Sequence, residues 1–308
     1  MLQLFKRLAL VAPPAPPENR AERVRMALQK VRHLPGLSDT ITRAMALANN
    51  PQCDFDDYVE LIQRDGAIAA TVLRLANSLV YGGRHRTASL KQAVVRLGLG
   101  SCSQLLASIG MRGLISAAHG RTRHVCDILL KHGTFVACLA QSFNNRLKLG
   151  FEGEEFTAGL LHDLGRILLA LAAPDDFLHA DPLTFNEGDD CLAGERKVLE
   201  TDHCRIGAEY GVKNGFPEPV LNCIRYHHTP EDARKDVRLA RLIALADHLA
   251  NYLQRAGRYA DYQWKDNRYY FELAGGWGRI KRQEMLDQVP VIIRTAIRQS
   301  RAMLKAQA

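Results

Sequence analysis

The stretch Gly159-Leu160-Leu161-His162-Asp163-Leu164-Gly165-Arg166-Ile167-Leu168-Leu169 places an adjacent histidine and aspartate inside an apolar run. Apolar residues recur around this pair at helical spacing, so we expect one helix over Phe156–Leu171. Neighbouring residues of a helix point about 100° apart, and the pair can serve one ion only if other segments supply further ligands. The functional prediction therefore depends on what the rest of the chain brings to this pair.

The remainder of the chain is helical in pattern. From Ala21 onward apolar residues recur at intervals of three and four, and the alternation typical of strands is rare, which predicts an all-α fold. Pro290 is expected to divide the C-terminal basic segment into two helices. The pattern divides the chain into four parts: a flexible N-terminal tail over 1–20, a helical lobe over 21–120, a second lobe over 121–256 that contains the pair, and a C-terminal loop with basic helices over 257–308.

The composition favours a globular protein of the cytoplasm. Hydrophobic residues make up 47% of the 308 and charged residues 24%, which leaves ample material for a core. The seven cysteines are odd in number and scattered, with no Cys-x-x-Cys arrangement, so neither a disulfide framework nor a zinc ribbon is indicated. No apolar run approaches the roughly 20 residues that span a bilayer, and the apolar segment at 8–12 is too short for the core of a signal peptide.

The net charge of +8 arises at the two ends of the chain. Residues 1–32 and 279–308 together hold 14 of the 41 basic residues and 4 of the 33 acidic residues, so the middle of the chain is slightly acidic. Solvated tails explain this charge pattern most simply. The alternative is a binding surface for nucleic acid or for an acidic protein partner. A helix pair around Gly98 also fits a helix-turn-helix, but two amphipathic helices joined by glycine are common in α proteins.

Seven histidine and aspartate residues in the second half stand within apolar or small-residue helical runs: His132, His162, Asp163, His203, His227, His228 and Asp247. A single histidine on an apolar face is usually a hydrogen-bonded core residue, but an aspartate in an apolar helix needs a partner to stay ionised. Seven such groups could satisfy one another around metal, because imidazole and carboxylate suit first-row divalent ions. The set is larger than one tetrahedral ion requires.

The order His, His-Asp, His, His-His, Asp resembles the HD superfamily of metal-dependent phosphohydrolases, and its spacing is similar to that of the HD-GYP branch. The N-terminal half is similar to the HDOD domain, the HD-related output domain of bacterial signalling proteins. The segments that carry this likeness are His33-Leu34-Pro35-Gly36-Leu37, Ile62-Gln63-Arg64-Asp65-Gly66-Ala67-Ile68, Leu73-Arg74-Leu75-Ala76-Asn77-Ser78 and Gln92-Ala93-Val94-Val95-Arg96-Leu97-Gly98. The resemblance extends from about Arg25 to Asn251.

The resemblance implies an all-α fold in which an N-terminal helical lobe packs on an HD-like lobe. It also implies a divalent metal centre, binuclear when occupied, in which His162 and Asp163 are the central ligands, His132 and Asp247 complete a first ion, and His203, His227 and His228 hold a second. The ligand types do not distinguish Fe, Mn, Zn and Ni.

Two departures from the hydrolytic relatives concern catalysis. Arg166 stands where these relatives often have lysine, and arginine can hold phosphate by a bidentate contact but does not give up a proton near neutral pH. The Gly-Tyr-Pro loop of active HD-GYP enzymes is not evident between His162 and His203. Asp163 and Arg166 remain the candidate catalytic residues.

These observations favour a bacterial, cytoplasmic regulatory protein of HDOD type, whose HD-like site binds metal or a phosphorylated small ligand. Its N-terminal lobe would pass the state of the site to a signalling protein, with the polar loop at 181–190 and the basic ends as docking positions. The alternative is an active metal-dependent phosphohydrolase, in which two ions activate a water and Arg166 stabilises the developing charge. A nucleic-acid-binding regulator is the third and weakest hypothesis, and no membrane span is expected.

Overall fold

The computed structural model describes residues 26, 29–31, 39–48, 54–82, 86–116, 118–185, 191–259, 261–264, 267–274 and 278–307. Within these ranges every regular element is a helix and no strand is found, so the predicted all-α class is confirmed. The predicted N-terminal tail lies outside the described residues.

We use the name N-terminal lobe for the described residues before Gly120, whose helices with defined bounds are α1 (Asp39–Ala48), α2 (Phe55–Gln63), α3 (Gly66–Ala76) and α4 (Leu90–Leu114). Aspartate side chains cap the second and third of these helices. Asp54 accepts a hydrogen bond from the main-chain N–H of Asp56 at 3.1 Å, and Asp65 accepts from Ala67 at 2.9 Å and from Ile68 at 3.1 Å. These caps satisfy N–H groups that have no partner within the helix.

Helix α4 forms much of the core of this lobe. By length and composition alone this helix could cross a membrane, contrary to the expectation that no run is long enough, but 56% of its most apolar window is buried in the protein. Gly98 interrupts it with a non-helical φ of 76° and ψ of 155°. Residues 102–108 are all buried, whereas a recognition helix needs an exposed face for the DNA groove. The helix-turn-helix interpretation of this segment is therefore wrong.

We use the name second lobe for the described residues from Gly120 to Ala256, which form α5 (Gly120–Leu147), α6 (Glu154–Leu161), α7 (Leu164–Ala172), α8 (Pro174–Ala180), α9 (Cys191–Leu199), α10 (His203–Lys213), α11 (Glu218–Tyr226), the 3-10 helix Pro230–Asp232 and α12 (Val237–Ala256). Helices α5 and α6 approach each other closely because glycines face the contact. A Cβ on Gly133 would lie 2.7 Å from the carbonyl oxygen of Leu160, and one on Gly159 would lie 2.8 Å from Cα of Ala137.

The helix predicted over Phe156–Leu171 is broken at the His-Asp pair into α6 and α7. Asp163 has φ −97° and ψ 16°, and it begins the second helix rather than continuing the first. In an unbroken helix the two side chains would diverge by about 100°. With the break, Nε2 of His162 lies 3.5 Å from Oδ2 of Asp163. The continuous apolar pattern therefore did not reveal this break, which places both side chains of the pair close together.

Two helices follow the second lobe, α13 (Arg268–Leu273) and α14 (Arg279–Ala306). The predicted division at Pro290 is wrong, because α14 runs through this residue. A proline inside a helix costs about 3 kcal/mol. Three neighbouring apolar side chains, Met285, Val289 and Ile292, are fully buried, and each contributes about 1.5–3 kcal/mol, which outweighs that cost. Helix α14 packs on α5 and α3, so it joins the two lobes.

Candidate functional site

The structure brings together all seven histidines and aspartates that were singled out from the sequence. His132 lies on α5, the His162-Asp163 pair lies at the break between α6 and α7, and His203 is the first residue of α10. His227 and His228 directly follow α11, and Asp247 lies on α12. Six of these side chains are buried, with relative exposures of 5% or less, and His228 is half-buried. Five separate segments thus supply one compact cluster.

Asp163 lies at the centre of the cluster and divides it in two. Its Oδ2 atom is 3.5 Å from Nε2 of His162 and 3.7 Å from Nε2 of His132. Its Oδ1 atom is 3.4 Å from Nε2 of His203 and 3.6 Å from Nε2 of His227. The two oxygens of one carboxylate therefore face two different groups of histidines.

The remaining two residues complete these groups. Oδ1 of Asp247 lies 2.9 Å from Nε2 of His132 and 3.5 Å from Nε2 of His162. On the other side, Nε2 of His228 lies 3.1 Å from Nε2 of His203. We call His132, His162 and Asp247 the first group and His203, His227 and His228 the second group.

The rings of the first group are oriented by acceptors on their outer side. Nδ1 of His132 donates to Oε1 of Gln254, and Nδ1 of His162 donates to the main-chain oxygen of Gly159 at 2.8 Å. Because both partners are oxygen acceptors, Nδ1 carries the ring proton in each neutral histidine. The Nε2 lone pair is then directed toward the centre of the cluster.

Two rings of the second group are also oriented by an acceptor that faces Nδ1. Nδ1 of His203 lies 2.9 Å and 3.0 Å from the two carboxylate oxygens of Glu195. Nδ1 of His227 lies 3.1 Å from the main-chain oxygen of Cys223 and 3.2 Å from that of Ile224. Four histidines therefore share one arrangement, in which an outer acceptor holds Nδ1–H and leaves Nε2 available. Metal-binding histidines in proteins are oriented in this way.

One atom of the cluster lacks a hydrogen-bond partner. Nε2 of His162 is completely buried and makes no hydrogen bond, although it lies 3.5 Å from carboxylate oxygens of both Asp163 and Asp247. A buried polar atom without a partner costs about 1–3 kcal/mol. A divalent cation would accept this lone pair and compensate the two buried carboxylates. The donor set of imidazole nitrogens and carboxylate oxygens fits a first-row ion, and both groups of residues could hold one.

Arg166 is buried beside Asp163 and pairs with two carboxylates. Its Nη1 donates to Oδ2 of Asp163 at 2.8 Å, while Nη2 and Nε donate to Oδ2 of Asp181 at 2.6 Å and 2.8 Å. Burial alone would raise the pKa of Asp163, but the Arg166 guanidinium and the neighbouring histidines hold that pKa well below its usual range. Asp163 is therefore ionised, which is the form in which a carboxylate binds metal.

Residues 181–185, which follow α8, reach His132 of the first group and Arg166. The ring of Phe185 lies 5.5 Å from the ring of His132 and 5.9 Å from the guanidinium carbon of Arg166. Its main-chain oxygen accepts a hydrogen bond from Nη1 of Arg255 at 2.5 Å. This segment is the start of the predicted polar loop at 181–190, and residues 186–190 lie outside the described part of the chain.

A cleft of about 720 Å³ opens beside the second group. His228 and Cys204 line it, together with Arg205 and Arg225 from α10 and α11 and the neighbouring Tyr226. His228 is the half-buried member of the cluster, so the cleft gives a small molecule access to this side of the site.

Several residues at the site were not found by sequence reasoning. Glu195, Gln254 and Asp181 contact the cluster or Arg166, but polar residues on helices and loops are so common that nothing in the sequence marks these three. Cys204 was interpreted as an incidental thiol, whereas its sulfur lies 4.0 Å from Nδ1 of His227. Burial raises the pKa of Cys204, but the two adjacent histidines lower it further, to about 7.

Three histidines that the sequence left unassigned are not members of the cluster. His124 and His179 are exposed. Nδ1 of His248 lies 2.8 Å from the hydroxyl of Tyr262, so this histidine packs in the C-terminal aromatic region. Although His248 follows Asp247 directly, the helix directs the two side chains differently.

Comparison with known families gives a match to the family described as HDOD domain over residues 34–230. A curated relative, an uncharacterized protein of Treponema pallidum, is 24% identical over 225 residues, which make up 73% of this chain and 43% of the relative. The chain thus spans less than half the length of that relative.

Solved structures resemble the chain over almost its whole length. An HDOD domain protein of unknown function from Geobacter sulfurreducens has a TM-score of 0.72 at 21% identity, with 92% of this chain and 98% of that chain covered. A protein from Shewanella amazonensis, provisionally named a phosphohydrolase, has a TM-score of 0.64 at 24% identity with the same coverage. A protein from Marinobacter aquaeolei, provisionally named a signal transduction protein, has a TM-score of 0.71 at 22% identity, with 93% of this chain and 66% of that chain covered. At these identities the likeness shows a common fold.

Proposed function

The chain belongs to the HDOD domain family, and from that membership and the geometry of the site we propose that it is a bacterial, cytoplasmic signal-transduction protein that binds a pair of divalent ions. One observation carries the proposal. Oδ2 and Oδ1 of Asp163 face two separate groups of histidines, and four of those histidines present Nε2 to the carboxylate. Divalent ions bound to Nε2 of these rings would compensate the buried carboxylates of Asp163 and Asp247.

The residues of each group have distinct roles in this proposal. His132, His162 and Asp247 would hold one ion, His203, His227 and His228 would hold the other, and Asp163 would help to hold the pair. Divalent ions bound there would polarise a phosphoryl oxygen and lower the pKa of a bound water. Gln254, Glu195 and the main-chain oxygens keep the ring protons on Nδ1. The donors fit Fe, Mn, Zn or Ni equally.

The signalling role rests on the family and on the two-lobed arrangement. A phosphorylated small ligand reaches the site through the cleft beside His228, and the N-terminal lobe passes the occupied state to a protein partner. Exposed basic residues on one face of α14, at Arg294, Arg298, Arg301 and Lys305, offer that partner a positive surface. The cytoplasmic location is supported by the cysteines whose burial the structure describes, which are all free thiols.

Elemental analysis of protein purified without chelator or affinity metal tests the proposal. We expect about two equivalents of divalent metal per chain, and less than one in Asp163→Asn, because this substitution removes the carboxylate shared by both ions. Asp127→Asn is the matched control, since Asp127 pairs with Arg123 on the surface at 3.3 Å, and it should retain two equivalents. Wild-type protein without stoichiometric metal would contradict the proposal.

A second candidate function is phosphoester hydrolysis, favoured by the position of Arg166 next to Asp163. A guanidinium beside the ions can stabilise the charge that develops on a phosphoryl group. In the structure Asp181 occupies two of its N–H donors, so a phosphate group must displace that carboxylate to bind there.

Turnover of p-nitrophenyl phosphate and of its bis ester by the metal-loaded protein tests the second candidate. Asp163→Asn should abolish turnover. Asp181→Asn should lower KM several-fold, because a neutral amide competes less well than a carboxylate for Arg166. Retained turnover in Asp163→Asn would exclude this site as its source.

A further inference from the structure

His228 is held through its main chain by two residues of the C-terminal region. Nη2 of Arg268 donates to the main-chain oxygen of His228 at 2.8 Å, and the hydroxyl of Tyr269 donates to the same oxygen at 3.0 Å. Both residues lie on α13, about 40 positions after His228 and beyond the residues that match the family. A segment outside that match therefore contacts a histidine of the second group.

The two side chains support each other. The guanidinium carbon of Arg268 lies 4.9 Å from the centre of the Tyr269 ring, a distance at which a cation and an aromatic ring attract. Nη2 of Arg268 also lies 3.2 Å from the Tyr269 hydroxyl, and Nη1 lies 3.7 Å from a carboxylate oxygen of Glu231. We call this pair of residues the His228 clamp.

The clamp acts on the half-buried member of the cluster. The four buried histidines are oriented through Nδ1 of their rings, as described above. The hydrogen bonds from Arg268 and Tyr269 instead hold the peptide group that follows Cα of His228. The plane of that peptide group sets the direction in which the side chain leaves the backbone. Nε2 of His228 is then positioned 3.1 Å from Nε2 of His203, close enough for one ion to bind both.

We propose that Arg268 and Tyr269 are positioning residues for the second group, and that they fix His228 in the orientation required for metal binding. This inference rests on the proposed metal centre. It predicts that loss of the clamp affects the two ions unequally. Both clamp hydrogen bonds end on His228 of the second group, and neither reaches a residue of the first group. Loss of the clamp weakens the ion at His203, His227 and His228 and leaves the ion at the first group in place.

Titration of the metal-free full chain with Co²⁺ alone tests the clamp, with the visible absorption of bound Co²⁺ as the readout. The variants are Tyr269→Phe, Arg268→Gln and the double variant. We expect wild-type protein to bind two equivalents, and the double variant to bind one with unchanged affinity and the other 10–100-fold more weakly, the usual range for residues that orient a ligand. Arg268→Lys should restore part of the loss.

Tyr259→Phe is the matched control, because its hydroxyl accepts one hydrogen bond from Trp264 at 2.8 Å in the same aromatic region. It should bind both equivalents as wild-type protein does. If wild-type protein binds no Co²⁺, the metal centre itself is wrong and the clamp with it. If wild-type protein binds two equivalents and the double variant matches it, the clamp alone is wrong. Equal weakening of both equivalents would also overturn the clamp, because it would show a general loss of structure.

Discussion

Gly165 lies directly against the main chain of His203. A Cβ built on Gly165 would be 1.8 Å from the carbonyl oxygen of His203 and 2.6 Å from its carbonyl carbon. Helix α7 can therefore approach the first residue of α10 only because position 165 has no side chain. This contact brings His203 to Asp163, which lies two residues before the glycine.

Substitution Gly165→Ala should destabilise the protein severely. The clash involves backbone on both sides, so neither a rotamer change nor a side-chain shift can relieve it, and we expect a loss of about 3 kcal/mol or more. Urea unfolding measures the effect. Gly100→Ala is the control, because a Cβ there meets nothing within 4 Å, and it should be neutral or stabilise by up to about 1 kcal/mol. An unchanged midpoint in Gly165→Ala would contradict the close approach.

Substitution Glu195→Gln should weaken metal binding. Glu195 accepts from Nδ1 of His203 and from its main-chain N–H at 2.7 Å, and the negative charge makes the imidazole a better ligand. We expect affinity to fall about 10–100-fold for the ion at the second group. Isothermal titration with Mn²⁺ measures it. Glu209→Gln, which removes an exposed carboxylate paired with Arg205, should leave the affinity unchanged.

Substitution Arg166→Met should destabilise the metal-free protein more than the metal-loaded protein. Removing the guanidinium leaves the buried carboxylate of Asp163 and the half-buried carboxylate of Asp181 without their cation, and the buried charge accounts for most of a loss of about 3–5 kcal/mol. Bound divalent ions would compensate the negative charge of Asp163, so the loss of unfolding free energy should be smaller in the metal-loaded protein. Urea unfolding with chelator and with added Mn²⁺ separates the two cases. Equal losses in both conditions would mean that metal does not neutralise Asp163.

Substitution Glu155→Gln should change stability in a pH-dependent way. Burial raises the pKa of Glu155 above its ordinary value of 4.5, although Asn144 donates to its carboxylate at 2.9 Å. The ionised form is therefore less favourable in the folded chain, and this cost is absent below pH 4.5 and develops as pH rises through the folded pKa.

The measurement for Glu155 is the difference in unfolding free energy between Glu155→Gln and wild-type protein at pH 5 and pH 7.5. Effects of the substitution that do not depend on pH shift both values equally, so the change between the two pH values reports the ionisation of Glu155. The difference should move in favour of the variant as pH rises. A constant difference would show that the pKa of Glu155 is not raised.

The sequence by itself determined the all-α class and marked the residues that the fold brings together. Helical periodicity is a local property, and so are capping aspartates such as Asp54 and Asp65, because each acts within a few residues. The seven histidines and aspartates could be singled out because such groups are costly in apolar helices unless they have partners. A histidine or an aspartate in an apolar helix can therefore be recognised as a candidate ligand before its partners are known.

Tertiary structure decided how those residues are arranged. The helix break at Asp163 places both side chains of the pair in one cluster. The helix continues through Pro290 because burial outweighs a lost hydrogen bond. The roles of Glu195 and of the clamp residues Arg268 and Tyr269 depend on contacts across 8 and about 40 positions. Such contacts leave no periodic signal, because the free energy that selects them comes from residues that are distant in sequence and adjacent only after folding.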